Sequence, residues 1–125
     1  MDFIHDMIES KLYPRENKKA LVDIDETICF YKTDKPRYYE NAIPKQENID
    51  KINKLYDEGW EIVYWTARGS ISKVDRYELT RNQLETWGCK FHDLIVGHRD
   101  STFCYPLKPS FDLVIDDKAK RIEEL

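Results

Sequence analysis

No apolar run in this sequence approaches the roughly 18 residues that a helix needs to cross a bilayer, so no membrane span is expected. The N-terminus, Met1-Asp2-Phe3-Ile4-His5-Asp6, is acidic where a secretory leader would be basic. Cys29, Cys89 and Cys104 are odd in number and widely spaced, which fits neither a disulfide framework nor a C-x-x-C zinc site. His5, His92 and His98 are scattered too, and zinc gains nothing from them. These absences predict a soluble, cytoplasmic protein in a reducing compartment, with no membrane partner. Positive charge is also lacking in excess: 20 basic residues face 24 acidic ones, a net −4, so no global field draws polyanions. A phosphate-bearing ligand would have to be held by local groups. Without a repeat, a low-complexity tract or a linker, residues 1–125 read as one domain.

What is present is an alternation of two periods. Phe3, Ile4, Met7, Ile8 and Leu12 recur at helical spacing within the first 15 residues, predicting a helix over 2–12 that packs on the body or on a second subunit. Ala20-Leu21-Val22 then opens a buried strand that runs into Asp23-Ile24-Asp25-Glu26-Thr27. Residues 28–43 carry Phe30, Tyr31, Tyr38 and Tyr39 among Lys32, Lys35 and Arg37 without clear periodicity, and suggest a flap turning at Asp34-Lys35-Pro36. Pro44 suits a first helical position, and Ile49, Ile52, Leu55 and Tyr56 make one apolar face up to Gly59. A strand over 60–65, a helix over 71–87 stopped by Gly88, strands over 91–96 and 111–115, and a closing helix with Ile122 and Leu125 complete the pattern.

Alternating strands and helices predict an α/β fold: a three-layer, Rossmann-like parallel sheet of about four strands between helices, with no stretch long enough for a separate cap domain. In such sheets ligands bind outside the carboxyl ends of the strands. Asp23, Thr66 and Asp116 each follow an apolar strand, so they are expected to share a crevice if their strands are neighbours. Asp23, Asp25, Asp116 and Asp117 would repel one another there unless a cation intervened, and an all-oxygen set suits a hard ion such as Mg²⁺. A carboxylate beside such an ion can attack phosphorus while a second one handles the proton.

Asp23-Ile24-Asp25-Glu26-Thr27 resembles the D-x-D-x-T motif of haloacid dehalogenase superfamily phosphatases, Thr66 their second motif and Asp116-Asp117 their fourth. The resemblance covers residues 20 to about 120. It implies a Mg²⁺-dependent phosphatase with Asp23 as nucleophile, Asp25 as general acid and base, and the metal on Asp23, Asp25 (through its carbonyl) and Asp116, with Asp117 further out. Thr27 would fix the loop. Glu26 stands where many members have glycine. For the third-motif lysine, Lys108 is the choice ahead of Lys73, and Lys118 could instead pair with the acids. Thr66-Ala67-Arg68-Gly69 is also similar to the phosphatase domain of polynucleotide kinases, which implies that Arg68 joins Thr66 and Lys108 in binding substrate phosphate. The expected partner is a small phosphorylated metabolite such as a sugar phosphate, with a nucleic-acid 3′-phosphate as runner-up and a non-catalytic phosphate-binding module as the non-enzymatic rival. A response-regulator receiver also sets acids, a Thr and a Lys on an α/β sheet, but no second acid pair ends a later strand there.

Overall fold

A computed structural model describes residues 18–97 and 111–116. The chain runs through β1 (Lys19–Asp23), β2 (Cys29–Phe30), a single 3-10 turn (Tyr39–Asn41), β3 (Ile43–Pro44), α1 (Gln46–Asp57), β4 (Glu61–Thr66), α2 (Tyr77–Thr86), β5 (Asp93–Val96) and β6 (Leu113–Ile115). The four longer strands form one parallel sheet in the order β5-β4-β1-β6, flanked by the two helices. This is an α/β, Rossmann-like arrangement. The helix expected over 2–12, the closing helix, Lys108, Asp117 and Lys118 lie outside the described residues.

Ala20, Leu21 and Val22 are buried without alternation, as a central strand covered on both faces requires. Ile62, Val63 and Tyr64 of β4 continue the same layer, and Ile49, Ile52 and Leu55 of α1 are buried with them. Asp112 fixes the start of β6. Its carboxylate accepts the Lys19 backbone N–H at 2.9 Å while its own N–H donates to the Lys19 carbonyl at 2.8 Å.

Strand order places the site. From β1 the sheet grows through β4 to β5, and then β6 returns to the other side of β1, so a topological switch falls between β1 and β6. Val22 lies opposite Ile115 and Asp23 opposite Trp65. The next residues, Asp116 just past β6 and Thr66 at the last position of β4, therefore lie on either side of the Asp23 strand, at one end of the sheet.

Several boundaries differ from the sequence reading. Pro44 does not open a helix; it pairs with Cys29 in a two-stranded antiparallel ribbon, and α1 begins two residues later. So short a ribbon tolerates a proline because its open edge needs no donor. The helix expected over 71–87 starts only at Tyr77. Before it the chain turns, with Lys73 at φ 62° and Val74 exposed, so Val74 contributes to no helical face. Gly59 and Gly88 end the helices where expected: the Trp60 N–H reaches the Leu55 carbonyl at 3.1 Å, and the Cys89 N–H reaches that of Leu84 at 2.9 Å.

Candidate active site

The first acid leaves β1 at its end, and the chain turns at once. The Ile24 carbonyl accepts N–H bonds from Thr27 at 3.1 Å and Ile28 at 2.9 Å, so Asp25 is not a further residue of the same straight strand. It meets Cys29 in an isolated bridge. Asp23, Asp25 and Thr66 nevertheless line one cleft of about 540 Å³, together with flap residues 37–40, the loop after Thr66, and Arg76. A cleft of that size suits a small-molecule ligand. Thr66 is buried, and its hydroxyl oxygen accepts the Arg68 backbone N–H at 3.2 Å, which curls the loop back over the strand end.

Asp25 is gripped from both sides of its carboxylate. Arg68 Nε donates to Oδ2 at 3.1 Å and Nη2 to Oδ1 at 2.8 Å; Tyr31 adds a 2.6 Å hydroxyl bond to Oδ1. The remaining donors of Arg68 are engaged as well: Nη1 reaches Thr80 Oγ1 at 3.2 Å and Gln83 Oε1 at 2.6 Å, and Nη2 reaches the Tyr31 oxygen at 3.3 Å. Five N–H donors thus meet five acceptors, and the guanidinium also lies 4.6 Å over the Tyr39 ring. The Arg68 side chain is 0% exposed. In this arrangement it has no donor for a substrate phosphate, the contact that the polynucleotide-kinase similarity implied. Burial pushes the Asp25 carboxyl up, but the hydrogen bonds and charge of Arg68 outweigh it and hold the group below the ordinary carboxylate value.

The flap is tied into this network. Gln83 carries the Arg68 bond on one end and donates Nε2 to the Tyr39 carbonyl at 2.6 Å with the other. Thr80 and Gln83 stand three apart on α2, hence on one helical face. At the flap's base Glu26 adopts φ 68°, a left-handed conformation that favours glycine. Here three bonds hold the strained residue: its N–H to the Cys29 carbonyl at 3.0 Å, Lys45 Nζ to its carbonyl at 2.6 Å, and Arg37 Nη2 to its carboxylate at 2.7 Å. The Thr27 backbone carbonyl receives Asn48 Nδ2 from the first turn of α1 at 2.8 Å, while its buried hydroxyl meets no hydrogen-bond partner among the described residues. The loop after β4 leaves no room at Gly97, where a Cβ would stand 1.9 Å from Ser70 Oγ and 3.0 Å from the Ala67 carbonyl oxygen.

No family model and no curated protein matches this chain. Among solved structures it is similar to a target protein from Vibrio cholerae, at 20% identity and a TM-score of 0.55, over 69% of this chain and 77% of that one. At that identity the likeness bears on the α/β fold alone.

Of the residues singled out in the sequence, Asp23, Thr66 and Asp116 come to one end of the sheet, with Asp25 beside Asp23. Among the described residues no three His, Cys, Asp or Glu side chains gather into a metal cluster. The four-carboxylate set is reduced here because the Asp25 side chain belongs to Arg68 and Asp117 lies outside the described residues. Asp23 and Asp116 at neighbouring strand ends, with the Asp25 carbonyl, remain an all-oxygen donor set that fits a hard divalent cation. Tyr31 was expected only as one of the flap's aromatics, and Thr80 and Gln83 were not foreseen. The only sequence signal of Thr80 and Gln83 is their i, i+3 spacing, which many surface helices share.

Proposed function

We propose that the chain is a Mg²⁺-dependent phosphomonoester hydrolase of the haloacid dehalogenase type, without a separate cap domain, working through an aspartyl-phosphate on a small phosphorylated metabolite. The observation that supports it is the pairing of Val22 with Ile115, from which Asp23 and Asp116 emerge side by side at a topological switch point. Asp23, Asp116 and the Asp25 carbonyl would hold the ion, which when bound screens the repulsion between an attacking carboxylate and phosphoryl oxygens.

The chain's own groups do the rest. An Asp23 oxygen attacks phosphorus, the acyl-phosphate bond forms, and the ester oxygen departs with its electron pair and takes up a proton. Water then attacks phosphorus, and the Asp23 carboxylate is released with inorganic phosphate. Asp25 is the candidate to give and then take the proton, and Arg68 sets the cost of using it. A proton on Asp25 breaks a charged pair, so protonation and release from Arg68 are coupled. The Thr66 hydroxyl, with its oxygen accepting from Arg68 N–H, has its own proton to offer a phosphoryl oxygen. Residues 37–40 and Arg68 line the cleft beside Asp23 and Asp25.

Turnover of p-nitrophenyl phosphate with Mg²⁺ by the wild-type chain and by Asp23→Asn tests this. The nearly isosteric amide should leave the fold intact and lower turnover by several orders of magnitude. Near-normal turnover by Asp23→Asn would remove the nucleophile from the scheme.

A further inference from the structure

Three arginines line the cleft among the described residues, and they differ in what they have left to give. Arg37 is held by Glu26 at 2.7 Å and stacks 4.7 Å over the Tyr31 ring. Arg68 is saturated. Arg76 is less fully engaged: it lies 5.5 Å over the Tyr39 ring and its Nη1 makes an ion pair with Glu40 Oε1 at 3.8 Å, too long for a hydrogen bond, while its Nε is sheltered from solvent with no acceptor. A sheltered N–H without an acceptor is unfavourable unless a ligand supplies one. The Arg76 side chain is 31% exposed, so a ligand in the cleft can reach it.

Two large apolar side chains sit exposed on the same cleft. Tyr38, on the flap, is 60% exposed, and Ile71, on the loop after Thr66, is 81% exposed. Single exposed apolar residues are ordinary; a ring and a branched chain exposed in one charged cleft offer apolar surface to a flat group.

We infer that the outer half of the cleft is a specificity subsite, in which Tyr38 and Ile71 receive a flat ring and Arg76 binds a second anionic group of the same substrate. The substrate class is then a phosphomonoester whose leaving group carries both, as a nucleoside bisphosphate does. This rests on the proposed hydrolase only for which end of the ligand meets Asp23. The guanidinium fork fits a phosphate or carboxylate with two parallel bonds, and the aromatic wall accepts any base, so the subsite selects ring and charge.

The test is calorimetric titration of the Asp23→Asn protein in Mg²⁺, in which turnover is stopped, with adenosine 3′,5′-bisphosphate, adenosine 3′-monophosphate and ribose 5-phosphate. Affinity should fall in that order. Adding Arg76→Gln should reduce the bisphosphate's advantage over the monophosphate at least about tenfold, and adding Tyr38→Ala should do the same to the monophosphate's advantage over ribose 5-phosphate. Equal affinity for all three ligands, or equal losses on all three in the variants, would overturn the subsite. Preferential binding lost as expected, with wild-type protein turning over no phosphomonoester, would leave the subsite standing and remove the hydrolase.

Discussion

Arg68 holds both carboxylate oxygens of Asp25, at 3.1 and 2.8 Å, from a side chain with no exposure to solvent. This pair joins the turn after β1 to the loop after β4, and through Thr80 and Gln83 it reaches α2. A single guanidinium therefore fixes three segments around the cleft.

Arg68→Ala should be among the most damaging single changes outside the apolar core. It strands the Asp25 carboxylate and three further polar groups, and breaking one side of a buried pair costs about 3–5 kcal/mol. Urea unfolding should show that loss, whereas Gln83→Ala, which removes one bond to Arg68 and one to the flap, should cost about 1–3 kcal/mol. Equal stability of Arg68→Ala and wild type would mean that the pair is not formed.

Glu26 gives a prediction of opposite sign for two small residues. Its φ of 68° costs an ordinary side chain about 1–2 kcal/mol relative to glycine, while its pair with Arg37 is exposed and worth at most about 1 kcal/mol. Glu26→Gly should be at least as stable as wild type, and Glu26→Ala, which keeps the strain and loses the pair, should melt lower than both. If alanine and glycine give the same melting temperature, the left-handed conformation is not what this position demands.

How much of this was legible in the sequence follows from how local each signal was. The strands and their acids could be read because buried parallel strands are continuous apolar runs and a carboxylate at their end breaks the pattern. The order of strands around β1 could not, since only pairing brings residue 116 beside residue 23. The first turn of the helix expected from 71 was lost to the left-handed Lys73, where periodicity carries no information on backbone sign. Arg68 was singled out for a substrate phosphate, and in this structure it holds Asp25. An arginine's acceptor lies wherever the fold puts one, here 43 residues upstream. The flap's aromatics also separate: Tyr31 serves the Asp25 network, and Tyr38 faces the cleft.

Stability should fall at both ends of the pH range, for different groups. Asp25 has a folded-state pKa below its ordinary 3.8, so the unfolded chain takes up its proton first, and stability is lost as pH falls from about 3.8 through the folded value. Burial, helped by the neighbouring Asp25 charge, pushes the Cys29 thiol from 9.0 up to about 12, so the unfolded chain loses that proton first and stability declines as pH rises across this window. Denaturant midpoints measured in EDTA across pH check both limbs. Asp25→Asn should flatten the acid limb and Cys29→Ala the alkaline one; an unchanged slope in either variant would contradict its assignment.

Gly97→Ala should act on the loop that follows Thr66. The new methyl would collide with Ser70 Oγ and press on the Ala67 carbonyl, so the loop must shift, at about 1–3 kcal/mol. Phosphatase turnover should fall with it. Adding Ser70→Gly, which removes the hydroxymethyl group, should recover part of both losses, and no recovery in either measurement would place the strain elsewhere.

Mg²⁺ should raise the melting temperature of the wild-type chain more than that of Asp23→Asn or Asp116→Asn. Binding to the folded state alone adds about 2.7 kcal/mol at a hundredfold excess over Kd. EDTA should abolish turnover and the thermal shift together. An identical shift in all three proteins would put the ion at some other site.

The two-residue ribbon of Cys29–Phe30 with Ile43–Pro44 closes the flap at its root. Whatever is strung between Phe30 and Ile43 begins and ends at the same point, so its length is uncoupled from the geometry of the sheet beneath. Doubling such a loop adds only about 0.6 kcal/mol of closure entropy. The chain therefore has a graft point: longer segments, even a small folded unit, could be spliced there to re-roof the cleft while β1, β4 and β6 keep their register.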